Sequence, residues 1–198
     1  ATAWRTDAAE AFIPPAEAAG VPRRNDFNRR DIEGVGYYQT TTKGARRAST
    51  AAAYLKPARA RANLRIVTDA LVTRIEFQGR EATAVLYERG GQQHRAVAGR
   101  EIVLSAGSFG TPQILQLSGV GPAALLRDHG MPVVHELKGV GENLMDHLLV
   151  KRSYRTTSRQ TLNVLMRNPA SLALAPLRYG LFRSGPLAGG PAPLGGYT

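Results

Sequence analysis

The sequence predicts a mixed α/β (α+β) chain, and three observations carry that expectation. Residues 63–106 alternate apolar and polar side chains between turn signals, the period-two pattern of strands. Residues 101–121, EIVLSAGSFGTPQILQLSGVG, pass from a short apolar run through small residues into a helical pattern. A helical pattern returns over residues 161–182, TLNVLMRNPASLALAPLRYGLF. At 198 residues the chain can form one large domain or two small ones, and can bury a real core.

From the N-terminal side, residues 7–19 should begin as a helix with Asp7 as N-cap. Pro14 and Pro15 should interrupt it, because proline lacks a donor and crowds the preceding turn. Residues 20–44 read as an irregular loop with turn centres near Asn25-Asp26 and Gly34-Gly36. Alanine-rich residues 49–55 should be helical and stop before Pro57. Strands are expected over 63–69 and 71–78 and within 81–105, turning at Asp69-Ala70, Gln78-Gly79 and Gly90-Gly91. The last of these, residues 101–105, carries the short apolar run IVLSA (102–106), as suits a strand covered on both faces.

Beyond it, Thr111 should N-cap a helix with Pro112 at its first position, where a missing N–H costs nothing. Ile114, Leu115 and Leu117 should form its buried side and Gly119 its end. A short helix over residues 122–130 and a strand over 132–137 follow, and a Gly/Pro-rich stretch fills 184–197.

Composition removes several functions. With no cysteine, this chain has no disulfide, thiolate metal site or cysteine nucleophile. None of His94, His129, His135 and His147 has zinc-type spacing to another. No apolar run approaches the ~18 residues that span a bilayer, and no signal peptide is visible. The expected location is the cytoplasm, with peripheral attachment to a membrane left open. Lys plus Arg number 26 against 15 acidic residues, a net +11 that invites an anionic or nucleic-acid partner. The basic residues are spread along the chain without aromatic interleaving, so no nucleic acid is expected. The start at Ala1 without methionine, and the stop at LGGYT, suggest a piece of something longer.

The small residues at the head of the 107–118 helix admit two readings. A helix N-terminus offers free N–H groups and the positive end of a dipole to a phosphate, and small residues let a flat ligand approach. The same residues also serve an ordinary strand-to-helix connection. Residues 119–124, GVGPAA, fit the G-x-G-x-x-A dinucleotide fingerprint, but a helix precedes the first glycine where a strand is required. They read as a helix cap and a turn.

Residues 107–121, GSFGTPQILQLSGVG, resemble the second signature of the glucose-methanol-choline (GMC) flavoprotein oxidoreductases. The run GARRASTAAAYLKPARARANLRIVTDALVTRIEF (44–77) and the element GVGENLMDHL (139–148) are similar to further family elements, in the family's order. DFN, GVGYYQ, TLN and LFRSGPLA extend the similarity, which is greatest to the choline and alcohol dehydrogenase branch. Asn28-Arg29-Arg30 departs from it, since relatives place glycine after the asparagine.

The resemblance implies an enzyme in which FAD takes a hydride from an alcohol carbon, giving an aldehyde or ketone. Its partners would be a small-molecule alcohol and an electron acceptor, whether oxygen, quinone or another carrier; an oligomer is left open. It implies cofactor contacts at Val72, by its backbone beside the adenine, and at Ser105, Ala106 and Gly107 beside the diphosphate. Val72 otherwise reads as a plain strand valine. Arg47 and Ser49 would hold a loop at the FAD domain. Asn143, Asp146 and His147 match the Asn-Leu-x-Asp-His element, where an internal structural hydrogen bond is preferred over a catalytic base. His94 and His129 read as non-catalytic.

The FAD fingerprint and catalytic histidine of the family are missing from this sequence, so the chain is expected to be an internal, inactive fragment with no catalytic or metal-ligating residues. Residues 1–43 would supply cap, substrate-domain and FAD-lid elements. Residues 44–147 would form the middle of the FAD-binding domain, and 148–198 the start of the substrate domain. A degenerate, non-catalytic relative and a basic module that binds nucleic acid or another anion are the alternatives. The flanks should expose apolar surface.

Overall fold

A computed structural model describes residues 5–157, 161–189 and 193–198. Helices α1 (Asp7–Glu10) and α2 (Ile13–Ala18) lead to strands β1 (Gly34–Tyr37), β2 (Thr42–Lys43) and β3 (Arg46–Arg47). A π-helical turn, Ala51–Leu55, continues into α3 (Lys56–Ala58). Then come β4 (Leu71–Gln78), β5 (Glu81–Arg89), β6 (Gln92–Val97), α4 (Gly107–Leu117), β7 (Val120–Gly121), α5 (Ala123–Asp128) and β8 (His135–Glu136). Helices α6 (Leu162–Arg167) and α7 (Pro169–Phe182), a 3₁₀ turn and β9 (Leu194–Tyr197) complete the order. The chain forms two compact units, Arg65–Lys151 and the paired segments Ala1–Leu64 and Arg152–Thr198.

In the unit Arg65–Lys151, β4, β5 and β6 form the expected antiparallel meander, with tight turns at Gly79 and at Gly90-Gly91. Ile75, Ala84, Ile114, Val120, Ala123, Leu126 and Val140 are its buried apolar residues. Helix α4 packs on β4. Strands β7 and β8 pair in parallel, joined through α5.

In the other unit, β1 pairs antiparallel with β9, and Ile13, Val35 and Tyr37 form a core with Ala9, Ala16, Val21 and Leu194. Phe27, Tyr38 and Tyr197 flank that sheet, with ring centroids 5.4 to 6.2 Å apart. An Asx turn forms at Asp26, where the Asn28 backbone N–H donates to Oδ1 (2.9 Å) and lowers the carboxyl pKa.

Several local expectations change. Thr6 caps α1, its Oγ1 accepting from the Ala9 N–H (3.2 Å), because Thr6 is the residue with extended backbone; Asp7 falls in the first turn. Pro14 and Pro15 lie in the first turn of α2, so they start a helix, where their missing donors are already spare. Pro57 lies likewise near the start of α3. Residues 34–36 are strand and not turn: the Arg24 carbonyl comes within 1.9 Å of where a Cβ on Gly36 would sit, so the glycines serve close approach. Helix α4 starts at Gly107, and Thr111 acts from inside it by accepting from the Ala106 N–H (3.1 Å). Ile114 is buried but Leu117 is exposed.

Residues 63–69 and 101–105 are not strands. Among the described residues nothing pairs with 101–105, and Val103 is 76 % exposed; the apolar run is strand-like in composition but has no neighbour to complete a ladder. The last strand shrinks to His135–Glu136, since only these two meet β7. Residues 190–192 of the Gly/Pro-rich stretch lie outside the described residues.

The surface is large for the mass. It measures 15792 Å², against about 9,100 Å² for one compact protein of this size or about 11,000 Å² for two compact halves. Exposed Phe109, Met145, Leu148, Leu181 and Phe182 are part of that excess, as expected of the flanks and beyond them.

Tyr37 Oη donates to Glu10 Oε1 (2.9 Å), and the Arg5 guanidinium lies 4.6 Å above its ring. Burial first, then the Glu10 carboxylate, pushes the phenol up to about 12. The folded state thus holds the proton more tightly, so this contribution is complete below pH 10, where the free phenol titrates, and is lost as pH rises towards 12. Urea midpoints of the full-length protein should fall over that window, and less steeply for Tyr37→Phe. Equal slopes in the two proteins would remove this linkage.

Candidate functional site

Helix α4 has two working faces. Phe109, Pro112, Gln113 and Gln116 recur at i, i+3, i+4 and i+7 and form one stripe. With Ser108, Gly141, Asn143 and Met145 they line an open groove of about 580 Å³. Gln116 Nε2 donates to the Val140 carbonyl (3.1 Å), which fixes the loop carrying Gly141 and Asn143 against the helix. Asn143 has a left-handed backbone (φ 57°), a conformation asparagine tolerates better than most residues.

The opposite face is buried, and its key polar group is Ser118. Its Oγ accepts from the Ile75 N–H (2.7 Å) and donates to the Ile114 carbonyl (2.5 Å). One hydroxyl therefore ties the end of α4 to the middle of β4. Gly119 follows with φ 84°, and a Cβ there would meet the Pro132 carbonyl at 2.5 Å. It ends α4 and lets the 132–134 backbone pass close by. Gly119 is the helix end that the sequence indicated, whereas Gly121 lies in β7 and not in a turn, because its backbone pairs with β8; Pro122 precedes α5.

The sequence-derived candidates occupy different parts of this unit. Val72 is half-buried near the start of β4, opposite Tyr87 and beside an irregularity in the ladder between Val72 and Arg74. Ser105, Ala106 and Gly107 are exposed at the head of α4, some eleven residues, or about 16 Å of helix, from Ser118. Ser105 does not end a paired strand. Gly107 has φ 86°, and an added Cβ would meet nothing within 4 Å, so the space above it is open. Helix α4 leaves its first N–H groups without intrahelical partners at this point.

Asn143 lines the groove; Asp146 and His147 are exposed, and Asp146 Oδ1 accepts from the His147 backbone N–H (2.7 Å). This contact joins chain neighbours through the main chain at the surface; it does not involve the imidazole. His94 stacks on Tyr87 (5.1 Å between centroids), and His129 ends α5. Arg47 pairs with Thr42 in the β2–β3 ladder, and Ser49 Oγ accepts from the Ala52 N–H (3.3 Å). Sequence reading missed Phe109, Gln113, Gln116 and Ser118. The polar and aromatic residues of the first three, spaced along one side of an otherwise aliphatic helix, were the available signal.

A meander packed on a glycine-headed helix, with an open groove along that helix, defines a mixed α/β unit. The chain belongs to the GMC oxidoreductase family, whose model matches residues 4–149. It is 52 % identical over 139 residues to oxygen-dependent choline dehydrogenase 1 of Chromohalobacter salexigens, covering 70 % of this chain and 25 % of that protein. It is 42 % identical over 153 residues to mitochondrial choline dehydrogenase of Homo sapiens, covering 77 % and 26 %. An FAD-dependent oxidoreductase from Chaetomium thermophilum has a similar fold, with a TM-score of 0.86 at 29 % identity over 93 % of this chain and 33 % of that one. The chain thus spans about a quarter of the length of these curated relatives.

Ser118→Ala should strand the buried Ile75 N–H and cost about 1–3 kcal/mol, read as a lower urea midpoint of the full-length protein. Gly119→Ala should cost at least as much, through a left-handed backbone and a clash with Pro132. Midpoints unchanged in both would show that the α4–β4 junction carries little of the stability.

Proposed function

We propose that this chain is the middle section of an FAD-dependent oxidoreductase acting on the CH–OH group of alcohols, with choline or a similar small alcohol as substrate. The observation that carries this reading is the 42–52 % identity to choline dehydrogenases over 139 to 153 residues of this chain. When bound, the flavin would accept the hydride and leave an aldehyde or ketone; its electrons would pass to oxygen, a quinone or another carrier.

The residues present fit such a cofactor. Open space above Gly107 and spare N–H groups at the head of an eleven-residue helix suit an anionic diphosphate. Ser105, Ala106 and Gly107 would hold the diphosphate there, and the Val72 backbone would meet the adenine edge. The domain assignment stays 1–43, 44–147 and 148–198. None of the four histidines lines the α4 groove, which favours a proton-abstracting base outside this chain and an isolated chain that is inactive.

The full-length protein should be yellow, and its visible flavin band should bleach when choline or a related alcohol is added without oxygen. Gly107→Ala should lower the flavin-to-protein ratio severalfold, because its Cβ enters the diphosphate space. Nothing within 4 Å clashes with it, but the left-handed backbone (φ 86°) adds strain, so the urea midpoint is measured beside the flavin content to separate cofactor loss from unfolding. A colourless full-length protein would instead mark a degenerate relative. Full flavin content in Gly107→Ala would remove the diphosphate assignment.

A further inference from the structure

The Gln116 side chain runs between two glycines. A Cβ on Gly121 would stand 3.1 Å from its Cγ, and one on Gly141 would stand 2.7 Å from its Nε2. Gly121 lies in β7, just beyond the end of α4, and Gly141 lies in the loop whose Val140 carbonyl accepts from Nε2 (3.1 Å). Bare backbone on both sides makes room for one long side chain and delivers its amide to that carbonyl. These contacts are internal to the unit Arg65–Lys151 and need no surface left open.

The loop depends on this side chain. Gly141 (φ 86°) and Asn143 (φ 57°) both have left-handed backbone, one of several paths open to a free stretch of glycine and asparagine. Within the loop, Val140 N–H donates to the Leu137 carbonyl (3.2 Å) and Glu142 N–H to the Gly139 carbonyl (3.3 Å), which shapes it without fastening it. Among the described residues, hydrogen bonds fasten 137–143 to the rest of the unit at two places: Leu137 N–H on the Gly121 carbonyl (3.0 Å) and Gln116 on the Val140 carbonyl. The first acts where the loop begins, the second beside Gly141 and Asn143.

We propose that Gln116 is a positioning residue for the flavin: its amide holds the Gly141–Asn143 loop as the second wall of the groove whose first wall is α4. Ser108 and Asn143 both line that groove, and Ser108 directly follows Gly107. A cofactor with its diphosphate at the head of α4 therefore has this loop beside it. Gln116 itself stands about 13.5 Å of helix from Gly107, so it acts on that end through the loop and not by contact. The requirement is for a hydrogen-bond donor at the full reach of glutamine. Without one the loop opens into its other paths, the groove loses its wall, and the cofactor leaves sooner. The proposal rests on the flavin reading; the Gln116 slot does not.

The test follows flavin release from the full-length holoenzyme by the rise of free-flavin fluorescence. Gln116→Met keeps the length of the side chain and loses its donor; release should be about fivefold faster than in the parent. Gln116→Glu keeps the shape and sets a carboxylate against the Val140 carbonyl. Its release, relative to the parent at the same pH, should be fast at about pH 8 and close to parental at about pH 5, where a protonated carboxyl donates again. That recovery within one variant reports on the donor even where Gln116→Met folds poorly. A role in stability alone would lower the urea midpoints of both variants and leave release parental. Parental release in both variants, or a Gln116→Glu defect of equal size at the two pH values, overturns the proposal and leaves the flavin reading standing. A colourless full-length protein overturns the flavin reading and this proposal with it.

Discussion

The Ser118 hydroxyl is the junction on which the central unit depends. It accepts from a β4 backbone N–H and donates to a carbonyl one helical turn back, so a single side chain sets both the end of α4 and its distance from the sheet. Once that junction is made, α4 can only present its Phe109–Gln116 stripe outward, and Gln116 can only reach the loop at Val140. The groove is thus a consequence of which side of α4 is pinned. A buried hydroxyl does this better than an aliphatic contact would, because a hydrogen bond fixes direction as well as proximity.

The two ends of α4 have different physical tasks. Its C-terminal end is buried, bonded and closed by Gly119, whose missing side chain makes room for the Pro132 carbonyl. Its N-terminal end is exposed, with spare donors and open space over Gly107. Rigidity at one end and accessibility at the other leave the helix head open while its tail is held.

How much of this was legible depended on whether the deciding contact was local. The meander, its turns and the cap at Gly119 were legible because each follows from neighbours in sequence. The strand expected at 101–105 was read from apolar content alone, and content does not supply a pairing partner. Strand β1 looked like a turn because Gly34 and Gly36 are turn residues; only the approach of Arg24, ten and more residues away, explains them. Within the site, the glycine-headed loop was visible as a motif. Ser118 was not, since its partner Ile75 lies 43 residues earlier, and no spacing rule connects the two.

The pairing of β1 with β9 has a temporal side. Gly34 and Tyr197 are neighbours across a ladder yet are separated by roughly 160 residues of chain. Closing so long a flexible loop costs about 4–5 kcal/mol of entropy, whereas the β4–β5 and β5–β6 hairpins close over two-residue turns. On a ribosome the meander can therefore form while β1 waits, its edge unpaired, for almost all the rest of this sequence to be made. The β1–β9 ladder is therefore among the last parts of this sequence to close, completed only when β9 has been made.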